Sequence, residues 1–340
     1  MPSFSTFLTH FFPPKSKFTD RDVPDLQGNV YIVTGANTGI GKEVARVLYA
    51  KNAKVYVAAR PEEKAQNAIS EIQNTVTAST GSLIFLHLKL SDLTKVKATV
   101  GTFLAQEQKL HVLFNNAGVM VSTVDPPLKS AQGHGLGLGV NCVGTFLFIQ
   151  LLTPTFVATA RSEPPNTVRV VWVSSFGLEL FAQSDVGLST KNLDYHIPKD
   201  ATERYGQSKI GAWALGVEYA KRYKGNGIVS VPINPGNLQT ELARDQKAMV
   251  KLIAKLLCYP AINGAYTELH AACSDDVTVE KADWGTEYPR LTKLLLAPWG
   301  RIYPLRPDLT KATMTEAEGG TGRTSKFWDW TEQQQVEAYL

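Results

Sequence analysis

Cysteine is scarce: the 340 residues hold three, Cys142, Cys258 and Cys273. An odd number with no CxxC spacing argues against a disulfide framework and a thiolate zinc site, and makes a reducing, cytoplasmic compartment the expectation. Histidine is sparse too, and none of the six stands in an HExxH or comparable cluster, so no metal is predicted. An excess of charge of one sign is nearly absent: 35 Lys and Arg against 31 Asp and Glu leave +4, with no basic run or lysine–aromatic stripe, and nucleic-acid binding has no support. The apolar patch from Phe4 to Phe12 is broken by His10 and followed by Pro13-Pro14-Lys15. It is too short to cross a bilayer and lacks the basic start and small-residue cleavage site of a secretory signal, so no transmembrane segment is expected. Residues 1–23 are read as an arm packing its phenylalanines on the domain, with membrane-surface attachment as the alternative. No internal repeat or low-complexity tract occurs.

What is present is a chain that can bury a sizeable core, at 44% hydrophobic and 19% charged residues. Val30-Tyr31-Ile32-Val33 is an apolar, β-branched run. It ends in Thr34-Gly35-Ala36-Asn37-Thr38-Gly39-Ile40-Gly41, after which Val44, Ala45, Val47 and Leu48 repeat at helical spacing. This is strand, glycine turn, helix, the arrangement in which backbone N–H groups approach a pyrophosphate at the positive end of a helix. A turn that merely packs helix on strand is the plainer alternative. Further strands are predicted at Lys54 to Ala59, Leu83 to Leu88, His111 to Phe114, Val168 to Val173 and Val229 to Ile233, with helical segments between them. Such alternation predicts an α/β fold: one doubly wound parallel sheet of Rossmann type with helices on both faces and right-handed crossovers.

Arg60 closes the second strand where dinucleotide folds read the adenosine ribose, and no carboxylate stands there. An arginine can pair with the 2′-phosphate of NADP, so NADP(H) is favoured. Glu62 and Glu63 keep NAD(H) open, although Pro61 is expected to start a helix that carries them away. Asp92, or Ser91, can cap the following helix. The fourth strand runs into Asn115-Asn116-Ala117-Gly118, whose amides at the edge of a core need partners. Asn141 is an amide in an apolar stretch, leading into a long buried helix from Phe146, and it requires backbone or an ordered water. Ser174-Ser175 stand at the carboxyl end of the fifth strand, where open parallel sheets place ligands. Tyr205 and Lys209, four apart, share a helical face, and a cation beside a phenol stabilises its phenolate.

These motifs in this order resemble the short-chain dehydrogenase/reductase family: the glycine turn with its last two glycines flanking Ile40, Asn115-Asn116-Ala117-Gly118, the serine pair, Tyr205-Gly206-Gln207-Ser208-Lys209 and Asn234-Pro235-Gly236. The similarity covers roughly residues 24–300, and the final stretch, Phe327 to Val336, resembles the closing helix of fungal relatives of the retinol-dehydrogenase-like branch. The resemblance implies cofactor contacts from Gly35, Asn37, Thr38, Gly39, Ile40, Gly41, Asp92, Asn115, Ala117, Gly118, Pro235, Gly236 and Thr240. It implies catalysis by Tyr205 and Lys209 with Ser175, chosen over Ser174, and with Asn141 holding a water for proton relay. Asn234 departs from the family's aromatic or histidine before the proline. Pairing through the helices that bear Asn141 and Tyr205, as a homodimer or homotetramer, is implied as well.

The expected activity is NADP(H)-dependent interconversion of an alcohol and a ketone or aldehyde on a medium-sized hydrophobic substrate, with a secondary-metabolite intermediate as one class. Retinoid, steroid or lipid-aldehyde substrates stay open, as does a cofactor-binding protein without catalysis. One domain spans 24–310, followed by an extension over 311–340. Substrate walls are placed at 176–204, which shows no regular element, and at 238–260. The apolar residues Leu238, Leu242, Met249, Leu252, Ile253, Leu256, Trp284, Tyr288, Leu294 and Trp299 could roof a pocket, form an oligomer surface or belong to the core.

Overall fold

The computed structural model describes residues 4–121, 128–239, 258–281, 294–304 and 306–336. Thr240, Leu242, Met249, Leu252, Ile253, Leu256, Trp284 and Tyr288 lie outside the described residues. The first half of the chain runs α1 (Phe4–Phe11), β1 (Val30–Thr34), α2 (Gly39–Ala50), β2 (Lys54–Ala59), α3 (Glu62–Thr75), β3 (Ser82–His87), α4 (Leu93–Leu104), β4 (Val112–Asn115) and α5 (Leu136–Ser162). It continues through β5 (Arg169–Val173), α6 (Gly177–Phe181), α7 (Ala201–Tyr223), β6 (Val229–Ile233), α8 (Ala261–Cys273), β7 (Leu294–Ala297), β8 (Arg301–Pro304), α9 (Pro307–Thr313) and α10 (Arg323–Val336).

The strands form one sheet in the order β3-β2-β1-β4-β5-β6-β7-β8, parallel except for β8. Every residue of β1, β4, β5 and β6 is buried. Helices cover both faces of a parallel sheet, so its strands read as unbroken apolar runs, and this is why the sequence located them. Strand order reverses between β1 and β4, which opens a crevice at the carboxyl ends of those strands.

One expectation is corrected here. The segment 176–204 is not without regular structure: it holds α6, a 3₁₀ turn at Thr190–Asn192 and the start of α7. On α7, Ser208 through Ala220 are buried without interruption, and α10 packs there. Phe327 lies against Gly211, and the Trp328 ring stands 4.6 Å from Phe146 and 6.4 Å from Tyr219.

The long helix α5 contains a π-helical stretch, Gly139–Gly144, before its regular part, Thr145–Ser162. Among the described residues α5 is the helix long and apolar enough to cross a membrane, but 78% of that window is buried inside the fold, as befits a core helix. The π turn carries Asn141, and such bulges recur at functional sites because they re-aim one side chain.

Candidate active site

At the carboxyl ends of β1, β2, β4, β5 and β6 lies a cavity of about 850 Å³. One end is bounded by Gly35, Asn37, Thr38, Gly39 and Ile40, with Arg60 and Lys64 beside them. No carboxylate is among its described lining residues. The glycines are there for want of space. Gly35 has φ +70°, and a Cβ on Gly41 would stand 2.9 Å from the Gly35 carbonyl oxygen. Pro61 precedes α3 and starts it at Glu62, which takes Glu62 and Glu63 into the exposed first turn and away from the lining. Lys64 was not singled out from the sequence; its signal was the distance of one helical turn from Arg60.

The other end gathers Ser174, Ser175, Tyr205, Lys209, Pro235 and Gly236. Asp200 and Glu203 form a capping box that starts α7, so Tyr205 sits in its second turn with Lys209 one turn further on. Ser174 is fully buried and donates its hydroxyl to the Lys209 carbonyl at 2.8 Å, a structural use. Ser175 Oγ accepts the Gly177 N–H at 2.9 Å, which leaves its own proton free to face the cavity. The pair is thereby divided between scaffold and wall.

Lys209 is buried and its ammonium donates to the Val173 carbonyl at 2.8 Å. Gly118 makes room for it, since a Cβ there would lie 3.1 Å from Nζ and 3.5 Å from Asn141 Oδ1. Asn141 spends its amide on protein: Oδ1 accepts the Val119 N–H at 2.9 Å, and Nδ2 donates to the Val119 carbonyl and to Ser208 Oγ. Its side chain thus staples the turn after β4 to the π turn and to α7.

The expected depression of the Tyr205 phenol pKa by Lys209 is absent in this state. Burial pushes the phenol up instead; Lys209 Nζ stands 5.9 Å from the ring centroid and donates to the Val173 carbonyl. Burial also lowers the lysine itself to about 8.

The remaining sequence candidates fall as follows. Ala117 and Gly118 line the cavity, as do Asn116, Leu88, Leu90 and Ser91. Asn115 is buried behind the wall, its amide without a partner among the described residues. Asp92 is not in the lining; it accepts the Thr94 hydroxyl and pairs with Lys89 at the start of α4. Leu238 lines the cavity, whereas Trp299 is buried against Gly236.

Sequence reasoning passed over Glu268, which α8 carries fully buried, with neither carboxylate oxygen bonded among the described residues. The signal was an acid on the apolar stripe Gly264, Ala265, Leu269, Ala272. Burial raises its pKa to about 8, against a smaller lowering by Lys209. Relative to an unfolded pKa near 4.5, the raised value means stability that is full below about pH 4.5 and lost as pH rises through 8. Glu268→Gln should therefore melt like the parent at pH 5 and higher by roughly 3–6 °C at pH 9. Equal melting temperatures at pH 9 would refute the buried, proton-holding carboxyl.

A doubly wound sheet with a glycine turn at its switch point, and a tyrosine–lysine helix meeting it across one cavity, defines a dinucleotide-dependent oxidoreductase. Residues 29–179 match the family described as short chain dehydrogenase. The chain is 46% identical over 338 residues to the short-chain dehydrogenase/reductase bet4 of Neocamarosporium betae, covering 99% of this chain and 94% of that one. It is 47% identical over 335 residues to a short-chain dehydrogenase/reductase of Phomopsis amygdali, with 97% and 96% covered. In structure it is similar to a short-chain type dehydrogenase/reductase from Mycobacterium marinum, with a TM-score of 0.58 at 19% identity over 78% of this chain and 94% of the other. The Pseudomonas aeruginosa RhlG/NADP active-site complex gives 0.58 at 21%, over 74% and 92%. This protein belongs to the short-chain dehydrogenase/reductase family, in a fungal type, and is an oxidoreductase of CH–OH and carbonyl groups that uses NAD(P)(H).

Proposed function

We propose that this enzyme interconverts a hydrophobic alcohol and its ketone or aldehyde with NADP(H), the reading carried by one cavity that holds the glycine turn, Arg60, Ser175, Tyr205 and Lys209 together. The bound nicotinamide supplies or accepts the hydride. Gly35, Asn37, Thr38, Gly39, Ile40, Gly41, Ala117 and Gly118 form the cradle for the dinucleotide, with Asn115 behind it, and Pro235 and Gly236 border its nicotinamide end; Thr240 follows that turn in sequence. Ser175 donates its free hydroxyl proton to the carbonyl oxygen, and Tyr205 gives its phenolic proton to the same oxygen as charge builds there. Lys209 opposes the developing negative charge, and Asn141 keeps the lysine's pocket in shape through Val119 and Ser208. Oxidation follows the same path in reverse. The apolar lining by Met120, Val121, Leu128, Leu136, Val140 and Leu238 supports a medium-sized hydrophobic substrate, with fungal secondary-metabolite intermediates as the class to screen.

The NADP(H) preference rests on Arg60 and Lys64 at the ribose end with no described carboxylate beside them. In a fluorescence titration, NADPH is expected to bind at least tenfold more tightly than NADH. Arg60→Ala should weaken NADPH by about tenfold, the scale of one charge-assisted contact, and leave NADH unchanged. Equal affinity for the two cofactors in the parent would overturn the preference while leaving the fold untouched. The three cysteines are all free thiols, which supports an intracellular setting.

A further inference from the structure

The helix α1 has only eight residues, too few to be stable alone in water, so its order comes from what it docks on. It docks on the segments that follow β5 and β6, next to residues of the reacting centre. Phe176, the residue after Ser175, is held by the rings of Phe11 at 5.2 Å, His10 at 5.1 Å and Phe7 at 6.4 Å. After the neighbouring strand β6, Asn234 precedes the Pro235-Gly236 turn and is itself buried. Its Oδ1 accepts the Gly236 N–H at 3.1 Å, and its Nδ2 lies 3.0 Å from His10 Nδ1.

The chemistry of that last contact fixes the state of the histidine. An amide nitrogen can only donate, so His10 Nδ1 must accept, and the imidazole is neutral with its proton on Nε2. Burial and the nearby Arg301 guanidinium agree, since they hold the imidazole pKa down to about 4. His10 is 1% exposed. The helix is further tied by Arg301 donating to the Thr9 carbonyl, Tyr259 Oη donating to the Phe11 carbonyl at 3.3 Å and Tyr303 Oη bonding Thr6 Oγ1 at 3.1 Å. Gly236, at φ +94°, has Trp299 and Pro298 against its other side, so Asn234 and Trp299 grip the turn between them.

We propose that α1 buttresses the catalytic cavity from behind its lining and that His10 is a positioning residue, acting through Asn234 to hold the Pro235-Gly236 turn in the form that receives the nicotinamide end of the cofactor. This rests on the reading of the cavity as an NADP(H) site. Asn234, the departure from the family pattern, has a use here: its amide accepts from the turn's N–H and donates to the histidine at once.

The test compares His10→Gln, whose side-chain carbonyl can accept from Asn234, with His10→Leu, which keeps comparable bulk and cannot. Each full-length protein is titrated with NADPH and with 2′,5′-ADP, which fills only the adenosine end. His10→Leu is expected to lose about tenfold in NADPH affinity, the worth of one buried hydrogen bond. Binding of 2′,5′-ADP should be unchanged, and His10→Gln should regain most of the NADPH affinity. An equal loss for both ligands would mean general damage and overturn the proposal, as would parental NADPH affinity in His10→Leu. Failure of the parent to bind NADPH at all would instead sink the underlying site assignment, so the two failures are distinguishable.

Discussion

Replacing Tyr205 by phenylalanine is expected to reduce kcat about 10³-fold while NADPH binds within about twofold of the parent, because one proton donor is lost and nothing else moves. The ring stays where α7 puts it. Its hydroxyl shares the cavity with Ser175 and Lys209, and no carboxyl, imidazole, thiol or second phenol is among the described lining residues. Burial keeps the Tyr205 phenol protonated in the resting protein, the form needed for carbonyl reduction. Lys209 is the group that titrates nearer neutrality, and it loses its charge as pH rises through about 8. Reduction should therefore slow above pH 8 in the parent, measured as kcat against pH with saturating cofactor. A Tyr205→Phe variant that turns over at the parental rate would remove Tyr205 from the mechanism.

Alanine at Gly144 should be the most damaging small change in the fold. Its Cβ would overlap the Leu90 carbonyl oxygen and stand 2.9 Å from the Leu90 carbonyl carbon and 3.2 Å from the Gly139 oxygen, all of them backbone atoms that cannot turn aside. Relief requires the π turn to shift away from the loop after β3, and Asn141 sits in that turn. A loss of about 3 kcal/mol or more is expected, seen as a lower melting temperature or as insoluble protein. Gly101 is the control. It lies exposed on α4 with nothing within 4 Å of an added methyl, and alanine there should gain about 0.5–1 kcal/mol from helix propensity. Similar melting temperatures for the two variants would show that the close approach at Gly144 relaxes without cost.

The contrast between those glycines also explains what could be read in advance. Strands β1, β2 and β6 were visible as apolar runs because burial on both faces leaves no polar alternation, and the glycine turn was visible because residue types at fixed spacing encode it. Tyr205 and Lys209 were legible for the same local reason. What is not local was lost. Asn141 finds its partners 22 and 67 residues away, at Val119 and Ser208, so its amide could be marked as needing bonds but not assigned them. The β7–β8 hairpin escaped because its strands are four residues each, joined through Trp299 and Gly300 at positive φ. His10 looked like an interruption in an apolar patch, and only the fold brings it to Asn234, 224 residues away.

The packing of α10 on α7 has a kinetic corollary. Where two subunits meet through a helix face, the integrity of that face depends on protein concentration; here the covering helix is tethered to the same chain, so its effective concentration is set by the connecting segment and not by dilution. Thr324 donates to Glu218, and the Arg222 guanidinium lies 4.6 Å from the Trp328 ring, fastening the cover at the far end of α7 from Tyr205. Specific activity should then be flat from nanomolar assays to micromolar stocks, with the helix that carries Tyr205 and Lys209 braced in every molecule by its own chain.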